Sequence, residues 1–192
     1  MLSSAIALTF ASLGLAAAAC TTVGKVTHTH YGYPDNDPPG PATAYDCGRN
    51  FKAGGTGTYT DPLTFASAQG EFTKCEIIYD PYLRKYLRYE DYCQKCTEDW
   101  AASPKIHHID VWTGSATVNG GQEQIQCEND LTPADKSQTI VRQPATNLPV
   151  DILRPGYGEP YYNATASRFE TWRLIRWPLY DSLFRDSELG PA

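Results

Sequence analysis

Ile106-His107-His108-Ile109-Asp110-Val111-Trp112-Thr113-Gly114-Ser115 sets one carboxylate between Ile109 and Val111 and ends in a Gly-Ser turn signal. Its β-branched and aromatic residues suit a pleated, half-buried surface, so residues 106–112 are expected to form a strand. At a two-residue period Ile109 and Val111 share one face, while His108, Asp110 and Trp112 share the other. The apolar pair can line a core and present Asp110 opposite. A carboxylate held in this way beside an aromatic platform is the kind of group that works as a general acid.

Outward from this stretch, similar runs recur at close spacing. Strands are expected over 26–33, 58–66, 75–79, 85–91 and 123–127, with Asp80-Pro81-Tyr82-Leu83 as the turn between the third and fourth. Pro34 to Pro41 cannot continue a ladder and reads as a loop, in which Asp35 and Asp37 can cap local backbone amides. Residues 93–100 read as a loop. Six short strands with hardly any helical periodicity point to an all-β fold, a small closed barrel. Beyond Leu131 the chain is rich in proline and lacks alternation, which suggests an extended wrap. Ser167-x-x-Glu170, followed by Phe169, Trp172 and Ile175 at three-residue spacing, suggests one short helix within 163–178. The expected organisation is a leader over 1–19, a barrel over 20–130 and an irregular tail over 131–192.

The leader is apolar and ends in small residues, with Ala17 and Ala19 fitting an A-x-A cleavage pattern before Cys20. It reads as a secretory signal peptide; a membrane span would need about 20 residues of sustained hydrophobicity, and this run is rich in Ala and Ser. The chain of 192 residues has a net charge of −6 and no basic run. That excludes the electrostatic footprint of a nucleic-acid or anionic-membrane binder. Six cysteines, Cys20, Cys47, Cys75, Cys93, Cys96 and Cys127, suit a disulfide framework in a secreted protein. All six are expected to be oxidised, with Cys93 and Cys96 bonded to different partners, because nothing else argues for a redox C-x-x-C. Asn163-Ala164-Thr165 is a glycosylation sequon. Gly54-Gly55-Thr56-Gly57 lacks the Lys-Ser/Thr of a phosphate loop, and His28 with His30 lacks a third ligand. No metal or other cofactor is therefore expected.

Three aspartates stand in strand-like contexts: Asp61 before Pro62, Asp91 after Tyr89-Glu90, and Asp110. For Asp61 a turn cap is the favoured reading. The order Asp-Pro, then a tyrosine-rich strand ending in Asp, then apolar-Asp-apolar-aromatic before Gly-Ser resembles the three-aspartate domain of bacterial cell-wall enzymes. That domain includes the barrel of membrane-bound lytic transglycosylase A. His108-Ile109-Asp110-Val111 is similar to the His-x-Asp-Leu strand of expansins, barwin-like proteins, RlpA-like proteins and family 45 endoglucanases. The cysteine-rich loops and the Tyr31-Gly32-Tyr33-Pro34-Asp35 opening look like secreted fungal members of the same superfamily. The resemblance covers roughly residues 26–127 and implies a six-stranded double-psi β-barrel. It also implies that Asp110 acts as acid on a glycosidic bond and that Asp91 lines the same groove. Two departures stand out: Tyr92-Cys93 follows Asp91 where bacterial members have Thr-Gly-Gly, and no counterpart of the second domain of the bacterial glycan groove is expected from these residues.

Glycosidic cleavage needs a protonated carboxyl at the leaving oxygen and, for hydrolysis, a second carboxylate. Partial desolvation beside Trp112 can keep the proton on Asp110, with Asp91 or Asp35 as the ionised partner. Tyr31, Tyr33, Tyr89, Tyr92 and Trp112 can stack on sugar rings, although aromatics at strand spacing are more often packing. Two readings stay open, since fold alone decides neither. One is a monomeric secreted enzyme cleaving a wall polysaccharide, either peptidoglycan or wall glucan, as a muramidase or lytic-transglycosylase-like protein. The other is a non-catalytic wall-binding or wall-loosening protein of the expansin or barwin kind.

Overall fold

The computed structural model describes residues 20–151. The expected leader, the Asn163 sequon and the helix within 163–178 lie outside the described residues. Six strands, β1 (Thr21–Tyr31), β2 (Leu63–Ser67), β3 (Ile77–Asp80), β4 (Lys85–Tyr92), β5 (His108–Trp112) and β6 (Gln138–Arg142), close into a barrel in the order β1-β5-β2-β4-β3-β6. The closed six-stranded β-barrel with disulfides expected from the sequence is the fold. β1/β5 and β2/β4 run parallel and the other four pairings are antiparallel. Closure leaves no unpaired sheet edge. Every strand sends at least one almost fully buried apolar side chain inward: Val26, Phe65, Ile78, Leu87, Ile109 with Val111, and Ile140.

Two expected elements differ. Residues 123–127 are not the sixth strand; they lie within α2 (Gly121–Leu131). Glu123-Gln124-Ile125-Gln126-Cys127 alternates only superficially, and its straight-chain Glu and Gln are good helix formers. Gln124–Glu128 and Gln126–Asp130 hydrogen bonds at i,i+4 spacing support the helix. The closing strand is instead β6, past residue 130 and inside the segment read as a wrap. Likewise the 93–100 loop holds α1 (Gln94–Ala101). β1 starts earlier than expected and ends at Tyr31, and β2 starts only at Leu63, because Arg49 holds the preceding Asp61-Pro62 bend.

The cysteines also pair differently from expectation. Cys47–Cys75 and Cys93–Cys96 are bonded, while Cys20 and Cys127 are free and exposed. Cys93 is the N-cap of α1, so the first helical turn brings Cys96 back to it; the expectation of separate partners took the segment to be a loop. Cys47–Cys75 spans 28 residues and ties the long β1–β2 connection to the start of β3. In the chain-entropy model a loop of that length contributes about 3–4 kcal/mol, against about 2 kcal/mol for the three-residue spacing of Cys93–Cys96. Substituting Cys47 and Cys75 together by Ser should therefore lower the unfolding midpoint more than the same change at Cys93 and Cys96, as read by denaturant titration.

Candidate functional site

β5 carries the centre of the site. Ile109 and Val111 are fully buried in the core, and Asp110 stands half-buried on the other face of the strand, as alternation requires. In the parallel register with β1, Thr29 lies opposite Asp110, and the Thr29 hydroxyl donates to Asp110 Oδ1 at 2.7 Å. Burial pushes the Asp110 carboxyl from 3.8 up to about 7; the Thr29 hydrogen bond works against this, and the charges of Asp35 and Asp91 add to it. Asp110 therefore keeps its proton into the neutral range.

β2 runs between β5 and β4, and Ala66 on it pairs with Asp110 on one side and Asp91 on the other. With neighbouring strands 4.7–4.9 Å apart, the two aspartates are separated by one strand, roughly 10 Å between backbones. The register shift in β2/β4 at Phe65/Ala66 skips Glu90, so that Asp91, and not its neighbour, comes level with Ala66. A bulge re-aims a side chain in just this way. Asp91 is 7% exposed. Its Oδ1 accepts the amides of Ala44 and Tyr92, and its Oδ2 accepts the Tyr31 hydroxyl at 3.0 Å. Burial raises its pKa, with those three donors opposing the rise.

Asp35, in the loop after β1, is exposed; its Oδ1 accepts the Gly32 amide at 2.7 Å. Its charge acts on both Asp110 and Glu128. Glu128 was not legible as a site residue. α2 brings it to the end of β5, where it is 2% exposed and accepts from Thr113 Oγ1 at 2.5 Å and Gln124 Nε2 at 2.9 Å. Burial raises it to about 7, opposed by the Thr113 hydrogen bond, with the charge of Asp35 adding to the rise. α2 can approach this closely because Gly32 has no side chain: a Cβ there would overlap both Gln124 and Glu128. Gly32→Ala should displace the Gln124 amide and the Glu128 carboxyl that lie against this position and cost about 1–3 kcal/mol, the usual range for overpacking. Thermal unfolding of the variant, with its Tm compared to wild type, measures this.

The aromatics divide. Tyr31, Tyr89 and Trp112 are buried, at 7%, 1% and 1% exposed, and belong to the core cluster, so they are not open stacking platforms. Tyr31 and Trp112 pack edge to face with centroids 5.2 Å apart, while Tyr89 packs against Phe65, Phe72 and Tyr45. Tyr89 shares the inward face of Leu87, whereas Tyr31 and Trp112 share the face of Asp110 and cover one another there. Tyr33 is half-buried and Tyr92, adjoining Asp91, is exposed, so these two remain available to a ligand. Asp61 is tied to Arg49 at 2.6 Å and to the Thr56 amide, and serves as the expected turn anchor.

No solved structure matches the chain. An uncharacterized protein of Dictyostelium discoideum, DDB_G0273701/DDB_G0273221, is 33% identical over 123 residues, covering 64% of this chain and 52% of that protein. The chain thus spans about half the length of that relative. Residues 23–165, which contain Asp35, Asp91, Asp110 and Glu128, match the DDB_G0273701 N-terminal domain, and the chain belongs to that family.

Proposed function

We propose that the chain is a secreted enzyme that cleaves glycosidic bonds in a cell-wall polysaccharide, with Asp110 as proton donor. The observation that carries this reading is a half-buried carboxyl whose pKa is raised to about 7 and which is flanked by a second, exposed carboxylate, Asp35. A proton donor and an ionised partner are what glycoside hydrolysis requires. Asp35 suits the second-carboxylate role better than Asp91, because it is exposed while both oxygens of Asp91 are engaged. The resemblance of the β5 strand to double-psi barrel proteins of cell walls supports a polysaccharide substrate, and the disulfides suit an oxidising compartment.

The second reading, a wall-binding protein without catalysis, draws on Asp91, whose saturated hydrogen bonding is that of a structural acceptor. Incubating the full chain with purified peptidoglycan and with insoluble β-glucan tests both. Release of reducing ends or soluble muropeptides supports the enzyme. Co-sedimentation with either polymer without release supports the binding protein, and neither outcome with both polymers removes the polysaccharide from the account.

A further inference from the structure

On the far side of Asp110 from Asp91, the hydrogen bonds continue into the protein. The Thr29 hydroxyl that donates to Asp110 Oδ1 also lies 3.0 Å from His108 Nε2, and His108 Nδ1 lies 2.8 Å from Asp99 Oδ2 on α1. β1 and β5 set this chain: the parallel register places Thr29 level with Asp110, two residues along β5 from His108. His108 is 2% exposed, so its ring is held between α1 and the barrel. Asp99 is half-buried and also pairs with the exposed Lys95 at 2.5 Å, which places that end of the chain near solvent.

A threonine hydroxyl has one hydrogen, and this restricts how the chain can be protonated. When Asp110 is ionised, Thr29 gives its hydrogen to Asp110; it can then accept from His108 Nε2 only if the ring is an imidazolium, with Nδ1–H donating to ionised Asp99, and with a neutral ring protonated at Nδ1 the Nε2 atom loses its Thr29 hydrogen bond. When Asp110 is protonated it donates to Thr29 Oγ1, Thr29 donates to an unprotonated Nε2, and Nδ1–H still donates to Asp99. The two fully hydrogen-bonded patterns differ by one concerted transfer. The His108 Nε2–H bond breaks as an O–H bond forms at Thr29, and the original Thr29 O–H bond breaks as one forms at Asp110 Oδ1. Charge balances, because imidazolium and carboxylate become a neutral pair.

We infer that His108, held by Asp99, and Thr29 form a proton relay that sets the protonation state of Asp110 and returns a proton to it from the α1 side of the barrel. The catalytic use of the relay rests on the reading of Asp110 as proton donor; the proton link itself does not. His108 and Thr29 are positioning residues, since neither touches the substrate. Burial lowers the His108 pKa against the pull of Asp99, and burial raises Asp110, so both directions favour the neutral pattern near neutral pH. The charged groups around the relay are Asp35 and Asp91 facing Asp110, and Asp99 and Lys95 on α1, Asp135 after α2 and His28 on β1 facing His108.

The test is NMR on the full chain, with histidine ring nitrogens and aspartate carboxyls labelled, across pH. The expected result is that the His108 Nε2 shift steps at the same midpoint as the Asp110 carboxyl, because ionisation of Asp110 turns the single Thr29 hydrogen from Nε2 to the carboxylate, and that Asp110→Asn removes the step. Thr29→Val should separate the two signals and Thr29→Ser should restore their coincidence, a rescue that a purely structural threonine would not show. A wild-type His108 signal indifferent to Asp110 ionisation, or coincident midpoints persisting in Thr29→Val, overturns the relay. These signals are read without any glycan present, so the absence of cleavage would count against the enzyme reading and leave the relay to be judged by its own titration.

Discussion

Asp110→Asn is expected to reduce glycan cleavage by at least about 10²-fold, the scale of a lost general acid, while the barrel stays folded. The amide keeps the shape of the carboxyl and can still accept from Thr29, but it has no acidic proton to deliver. In the wild type, cleavage should fall as pH rises through about 7, because the donor loses its proton there. The same shift fixes the sign of the effect on stability. A carboxyl raised above its unfolded value contributes stability that is fully present below about 3.8 and is lost as pH rises through about 7. Asn carries no charge to desolvate, so the variant should be more stable than wild type at pH 8 and no more stable at pH 4. A variant gaining stability while losing activity is the signature of a strained functional carboxyl rather than a structural one. Reducing-end release and thermal unfolding, each run at pH 4 and pH 8 on both proteins, give the comparison. Unchanged cleavage by the folded variant would move the active site elsewhere.

Why Asp110 was legible and Glu128 was not follows from periodicity. Ile109 and Val111 alternate with Asp110 inside a β-branched run, so the strand, its buried face and the aspartate opposite could all be read from residue types. β6 carries the same alternation in Gln138-Thr139-Ile140-Val141-Arg142, but only Ile140 is fully buried and the run sits among prolines that read as linker. α2 buries a single side chain, Glu128, and so has no apolar stripe to reveal it as a helix or to show which face meets the barrel. Glu128 enters the site only because that helix folds over Gly32, a long-range approach with no local signature. The aromatics failed differently. Tyr31, Tyr89 and Trp112 lie on strands as expected, yet strand periodicity says which residues share a face and not what covers it. His108 was placed on the face of Asp110, but its use depended on the register between β1 and β5, which no single strand encodes.

Glu90→Gln is expected to cost about 3 kcal/mol, at the lower end of what breaking a buried ion pair costs. Glu90 is 1% exposed and accepts Arg49 at 2.8 Å on Oε2 and Arg88 at 2.6 Å on Oε1, with the Thr64 hydroxyl also on Oε2. Neutralising it leaves two guanidinium groups facing each other with a neutral acceptor between them. They are partly exposed, at 19% and 16%, and water can reach them, which is why the lower end applies. Arg49 also binds Asp61 and the carbonyls of Gly54 and Pro62, so this carboxylate fastens the β1–β2 connection to β4 beside the Ala44 and Tyr45 amides. For a domain of this size about 3 kcal/mol corresponds to roughly 6–12 °C in Tm. The effect should reach the site as well. Glu90 is the residue that the β2/β4 bulge skips, and its carbonyl accepts the Tyr45 amide one residue from the Ala44 amide that holds Asp91. Loosening that loop frees Asp91 Oδ1 from one of its two amides. Arg49→Lys should show a smaller loss, because lysine keeps a charge but cannot fork between Asp61 and Glu90. Thermal unfolding of the two variants orders the effects: an Arg49→Lys loss as large as that of Glu90→Gln would mean that the guanidinium fork, and not the buried carboxylate, holds the loop.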